Sequence, residues 1–126
     1  MPKEVFYSGN APEPIGPYSQ AVKAGNTLYI SGQIAIQKSN GQILIGNISE
    51  ETKQVMKNIS AVLKEVGADF NQIVKTTIFL KSMGDFPKVN PIYGEYFKAP
   101  FPARSTVEVA RLPKDVLVEI EVIVGK

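Results

Sequence analysis

The chain has 126 residues, 44% hydrophobic and 21% charged, with 14 Lys and Arg against 12 Asp and Glu for a formal net charge of +2. That length fits one domain, residues 1–126, able to bury roughly two thirds of its unfolded surface. Cysteine and histidine are both absent, which excludes disulfides, thiolate nucleophiles and Cys-ligated zinc, and removes the commonest general base and transition-metal ligand.

Any chemistry must therefore run on carboxylates, Tyr, Ser, Thr, Lys, Arg and backbone groups. No cluster of Lys and Arg forms the basic stripe that phosphate neutralisation requires, so no nucleic-acid partner is expected. No apolar run approaches the ~20 residues that cross a bilayer, and "MPKEVFYSGNAPEP" has no apolar signal region. The expected compartment is the cytoplasm, away from membranes.

In chain order, "KEVFYS" reads as a short strand closed by the Pro- and Gly-rich loop "GNAPEPIGPYS". "QAVKAGNTLYISGQIAI" predicts two strands around a tight turn at Gly25-Asn26. Gly32 interrupts the second of them, which marks a bulge or a close approach to the backbone. Asn40-Gly41 then marks the tip of a turn.

"SEETKQVMKNISAVLKEVGAD" is the clearest helix. Ser49 is the expected N-cap, Glu50 and Glu51 suit the positive end of the dipole, and Gly67 suits the C′ position. Val55, Met56, Ile59, Val62, Leu63 and Val66 form one apolar stripe at helical spacing. "QIVKTTIFLKS" follows as a β-branched strand.

"DFPKVNPIYGEYFKA" predicts a second helix with Asp85 as cap and Pro87 in its first turn. Pro91 predicts that it begins late or bends near Asn90. The end reads as a hairpin, "ARSTVEVAR" and "VLVEIEVIVG" joined by the turn "LPKD". Strands and helices so mixed indicate an α+β fold, with helices packed on one face of a sheet.

In the last strand Val118, Ile120, Val122 and Val124 share one face and Leu117, Glu119, Glu121 and Ile123 the other. The first set fits a face covered by helices; the second fits solvent, a pocket or an interface. An arginine at the start of one strand and two carboxylates in the most apolar strand permit two readings. One is a site; the other is an ion pair between Arg104 and Glu119, worth about 0–1 kcal/mol at a surface.

The segments "IGPYSQAV", "LYISGQI", "VKTTIFL", "DFPKVNPIYGEYF" and "PARSTVEVARLPKDVLVEIE" resemble, in order and over nearly the whole chain from Ile15, the reactive-intermediate deaminase (Rid, or YjgF) family. The resemblance implies a chorismate-mutase-like mixed sheet backed by two helices, assembled as a homotrimer with sites between subunits. It implies hydrolysis of 2-aminoacrylate and related 2-imino acids to 2-keto acids and ammonia, without a cofactor or metal. By position, Arg104 would bind the substrate carboxylate, Glu119 would orient or deprotonate water, and Tyr18 would hydrogen-bond substrate or water. Gly32, Asn90 and Thr106 would complete the lining. Thr106 stands where many members carry cysteine, which removes thiol chemistry but keeps a hydrogen-bonding group of similar size. The other readings are a module that binds a small carboxylate without turnover, and an endoribonuclease or translation inhibitor.

Overall fold

The computed structural model describes residues 2–125. Six strands form one mixed sheet: β1 (Glu4–Phe6), β2 (Ala21–Ala24), β3 (Thr27–Gln33), β4 (Ile73–Leu80), β5 (Ala103–Glu108) and β6 (Val118–Gly125). Two helices, α1 (Ile48–Glu65) and α2 (Phe86–Gly94), cover one face. The spatial order of the strands is β1-β2-β3-β6-β4-β5.

The β2–β3 turn forms where expected, with Gly25 at φ 63° and Ala24 paired with Thr27. Gln33 pairs with Ile120 after a register shift that begins past Ile30, so Gly32 lies in a bulge. All six residues of the predicted α1 stripe are buried, and Gly67 adopts φ 72° just beyond the helix. The helix starts earlier than predicted, however. Asn47 is the N-cap, its Oδ1 accepting the Glu50 N–H at 3.0 Å. Ser49 is already inside the first turn. Both residue types cap well, and here Asn47 meets the first free amides.

The second helix begins at Phe86, not late, and contains Pro91. Pro91 is the sixth residue, so its missing N–H removes only the bond that would have gone to the Pro87 carbonyl. Asp85 holds the cap position without a side-chain cap bond.

The terminal hairpin is not formed. β5 pairs with β4 in parallel, Thr76 opposite Arg104 and Ile78 opposite Thr106. β6 inserts between β3 and β4, antiparallel to both. The apolar "VEIEVIVG" takes the sheet centre and the polar "ARSTVE" takes an edge, which matches the burial each can provide. The connection crosses the end of β4 through a tight turn in which Lys114 and Asp115 have φ 58° and 57°. Arg111 closes that turn, donating to both carboxylate oxygens of Asp115 at 2.9 and 3.3 Å.

Alternation along β6 holds as read. Val118, Ile120, Val122 and Val124 are buried under the helices with Leu28, Ile30, Ile78 and Leu80. Among the described residues the opposite face carries no α-helix. Its surface includes Tyr29, Phe79, Val107 and Ile123, with Tyr29 and Val107 exposed.

Candidate functional site: two half-sites on opposite faces of the sheet

Strand pairing decides where the candidate residues point, because side chains directly opposite each other share a face. Thr76 and Ile78 are fully buried beneath the helices, so Arg104 and Thr106 also face the helix side, at the sheet edge. Phe79 stands opposite Glu119 and Thr77 opposite Glu121, which puts both glutamates on the open side. Arg104 and Glu119 thus belong to different faces, with β4 between their strands. The ion-pair reading is excluded within one chain.

The half-site on the helix side is built on α2. Arg104 Nη1 donates to Asn90 Oδ1 at 2.7 Å. Its guanidinium carbon lies 5.2 Å from the ring centre of Phe86 and 5.1 Å from that of Tyr93. Both rings contribute cation–π attraction and hold the fork's orientation. Tyr93 is itself fixed by a 2.8 Å hydrogen bond between its hydroxyl and Thr76 Oγ1. A cleft of about 440 Å³ opens here, lined by Asn90, Tyr93, Phe97, Phe101, Pro102 and Arg104. Arg104 is exposed, with further N–H groups available for an anion. Thr106, two residues along the same face, has an Oγ1 that is buried and without a hydrogen-bond partner among the described residues.

The half-site on the open side gathers Tyr18, Gly32 and Glu119 in a second cleft of about 430 Å³, walled by Ile15, Ile34, Ile36 and Pro113. Glu119 is half-buried. Burial pushes its carboxyl above the ordinary range, and the neighbouring Glu121 charge adds to the rise. Gly32 lies directly beneath it. A Cβ there would overlap Glu119 Oε2 and come within 2.8 Å of Cδ. Tyr18 Oη accepts the Ile15 N–H at 3.4 Å, which anchors the loop as a tyrosine in a turn does. The ring remains 47% exposed at the cleft mouth.

One chain therefore brings together Tyr18, Gly32 and Glu119, and separately Asn90, Arg104 and Thr106. Phe86 and Tyr93 lie in "DFPKVNPIYGEYFKA", where the sequence signals only a helix. Their role as the bed for Arg104 follows from the parallel placement of β5, which no local pattern encodes. Among the described residues no group of three or more carboxylates gathers as a metal site would require. No helix among them is long and apolar enough to cross a membrane.

The family model described as Endoribonuclease L-PSP matches residues 8–126. The chain belongs to the Rid/YjgF family. A RutC family protein of Pyrococcus horikoshii is 55% identical over 124 residues, 98% of each chain. The human protein named 2-iminobutanoate/2-iminopropanoate deaminase is 49% identical over 121 residues, 96% of this chain and 88% of its own. Among solved Rid structures, YyfA of Yersinia pestis superposes with a TM-score of 0.96 at 52% identity, covering 99% of this chain and 100% of its own. The mixed six-stranded sheet with two helices is thus the Rid fold, and relatives carrying deaminase names favour an enzyme.

Proposed function

We propose that this Rid protein is an enamine/imine deaminase that hydrolyses 2-aminoacrylate-type intermediates, among them 2-iminobutanoate and 2-iminopropanoate, to 2-keto acids and ammonia. The observation that carries the reading is the complementary chemistry of the two half-sites. One offers a guanidinium fork pre-set by Asn90, Phe86 and Tyr93. The other offers a half-buried carboxylate of raised pKa in a partly apolar cleft. A substrate with a carboxylate next to an electrophilic carbon calls for both. Since one chain holds them on opposite faces, the reading includes a homotrimer in which Arg104 of one copy meets Glu119 of the next. The uncovered sheet face, on which Tyr29 and Val107 stand exposed, supports such an assembly.

Arg104 takes the substrate carboxylate through charge-assisted hydrogen bonds, each worth about 1.5–3 kcal/mol. Glu119 removes a proton from water as the water oxygen bonds to the carbon of the protonated imine, giving a neutral carbinolamine. That proton then passes to the nitrogen, Glu119 takes the hydroxyl proton as the C=O bond forms and the C–N bond breaks, and the departing ammonia carries that proton away as ammonium. A positioned base of this kind contributes ~10²–10⁴-fold, and a raised carboxylate pKa improves the match to neutral pH. Tyr18, at the cleft mouth, holds the water or the nitrogen. RNA cleavage, the activity in the family's description, is disfavoured by the absence of histidine and of a basic stripe.

The deciding assay follows 2-keto acid release from imines generated in situ by a pyridoxal-phosphate-dependent dehydratase or an amino-acid oxidase, with semicarbazide as competing trap. The wild type is expected to accelerate release, and Arg104→Ala and Glu119→Gln to abolish the acceleration while remaining folded. No acceleration by the wild type across several side chains, or full turnover by Arg104→Ala, overturns the reading. Saturable binding of a 2-keto acid without turnover would replace it with a carboxylate-binding role.

A further inference from the structure

Helix α1 reaches both flanks of the Glu119 cleft through two polar side chains that core packing alone does not call for. Glu51 is fully buried. Its Oε1 accepts the Leu117 N–H at 2.9 Å and its Oε2 accepts the Gly46 N–H at 3.1 Å. Leu117 immediately precedes β6, and Glu119 follows two residues later. Seven residues along α1, on the same helix face, Asn58 is also buried. Its Nδ2 donates to the carbonyls of Ile34 and Ile36, each at 3.0 Å, while Gln54 Nε2 donates to its Oδ1 at 2.9 Å. Ile34 and Ile36 are walls of the Glu119 cleft.

The segments so held are those the sheet holds least. Residues 34–47 leave β3 with a single isolated bridge, Ile36 to Ile43, and residues 109–117 cross the end of β4 outside the strand ladders. A buried carboxylate or amide is costly unless its polar atoms are bonded, and a well-packed apolar residue would serve a core at least as well. Here Glu51 accepts from Gly46 and Leu117 and Asn58 donates to Ile34 and Ile36, all four in the two irregular segments or at their junctions with β3 and β6, between which Glu119 stands.

We propose that Glu51 and Asn58 are positioning residues for Glu119, fixing the entry to β6 and the exit from β3 on either side of its carboxylate without touching substrate. The kinetic consequence rests on the deaminase reading; the geometric one does not.

Three variants test this. Glu51→Gln places an amide donor where one of two backbone N–H groups needs an acceptor. Asn58→Asp turns an acceptor toward two carbonyls. Gln54→Ala frees the Asn58 amide while leaving no backbone group unpaired, so it keeps the fold if the isosteric changes do not. Each is examined by thermal unfolding, by kcat and KM, and by ¹³C carboxyl titration of Glu119. The other titratable groups lining the cleft, Tyr18 and Glu121, are untouched; Glu51→Gln removes a carboxyl and Asn58→Asp adds one, so the charge-neutral Gln54→Ala is the variant whose midpoint reports geometry alone.

The expected result is a kcat lower by about 10-fold or more in the two isosteric variants and by a smaller factor in Gln54→Ala, because small misplacements of a catalytic group cost up to ~10²-fold. KM, governed at Arg104, stays within about twofold, and in Gln54→Ala, which changes no charge, the Glu119 midpoint moves toward its ordinary value. A lower melting temperature with kcat and the Glu119 midpoint unchanged overturns the proposal, as does an unchanged Gln54→Ala if the other two fail to fold. If the wild type shows no turnover, the deaminase reading falls and the Glu119 midpoint alone decides.

Discussion

Gly32 lies so close beneath Glu119 that the glutamate side chain occupies the space a Cβ would need. The clash falls mainly on the far end of a side chain, and Gly32 does not require a left-handed backbone. Alanine is therefore expected to fold normally and to push the carboxylate aside. Gly32→Ala should reduce kcat by about 10–100-fold, the scale of a misplaced catalytic group, with a change of only a few degrees in melting temperature. Calorimetry beside steady-state kinetics checks this; unchanged kcat would show that turnover does not depend on where Gly32 lets Glu119 sit.

Glu121 is expected to set part of the pH dependence. Burial raises the Glu119 pKa first, and the Glu121 charge raises it further. If Glu119 is the base, it acts when ionised, and kcat/KM should climb with pH through a midpoint above the ordinary 4.5. Glu121→Gln should move that limb toward lower pH. The same rise has a stability counterpart of opposite sense. A raised carboxylate binds its proton more tightly in the folded state, so stability falls as pH climbs from 4.5 through the raised value. Glu119→Gln should thus melt higher than the wild type at neutral pH, with the advantage vanishing below pH 4.5. A melting temperature series across pH tests both limbs.

Thr106 carries a buried hydroxyl with no partner among the described residues. Leaving such a group unbonded costs about 1–3 kcal/mol in mutational data. Thr106→Val keeps the shape and removes the hydroxyl, so the free protein should be unchanged or more stable by about 1 kcal/mol. If Thr106 contacts substrate beside Arg104, KM should rise severalfold. A loss of stability would reveal that the hydroxyl is satisfied in solution.

Local features were the most legible. The α1 stripe, the Gly25-Asn26 turn, the alternation of β6 and the interruption at Gly32 each arise from interactions spanning a few residues, and sequence spacing reports those directly. What failed was partnership. The chain reads as a terminal hairpin because "LPKD" is a plausible turn, yet β5 crosses over through α2 to lie parallel to β4, and β6 fills the gap beside β3. Strand order depends on which strand buries best at the centre, a competition among segments far apart in the chain. The site residues were named by resemblance, and their division between two faces became visible only once that order was known. The cap at Asn47 in place of Ser49 is the same lesson at small scale, since two good capping residues two positions apart leave the choice to the tertiary surroundings.

The sheet's separation of Arg104 from Glu119 has a consequence for inheritance. If each working site draws its arginine from one copy and its glutamate from another, damage to one residue leaves the copy able to serve in the other role. Arg104→Ala and Glu119→Gln proteins, each inactive alone, should regain about a quarter of wild-type activity when unfolded together and reassembled at equal amounts, since a random ring seats an intact pair at one contact in four. Two defective alleles in one cell would rescue each other in the same way, whereas one chain carrying both lesions would rescue nothing. Failure of the mixed assembly to recover activity would place both residues' work within a single copy.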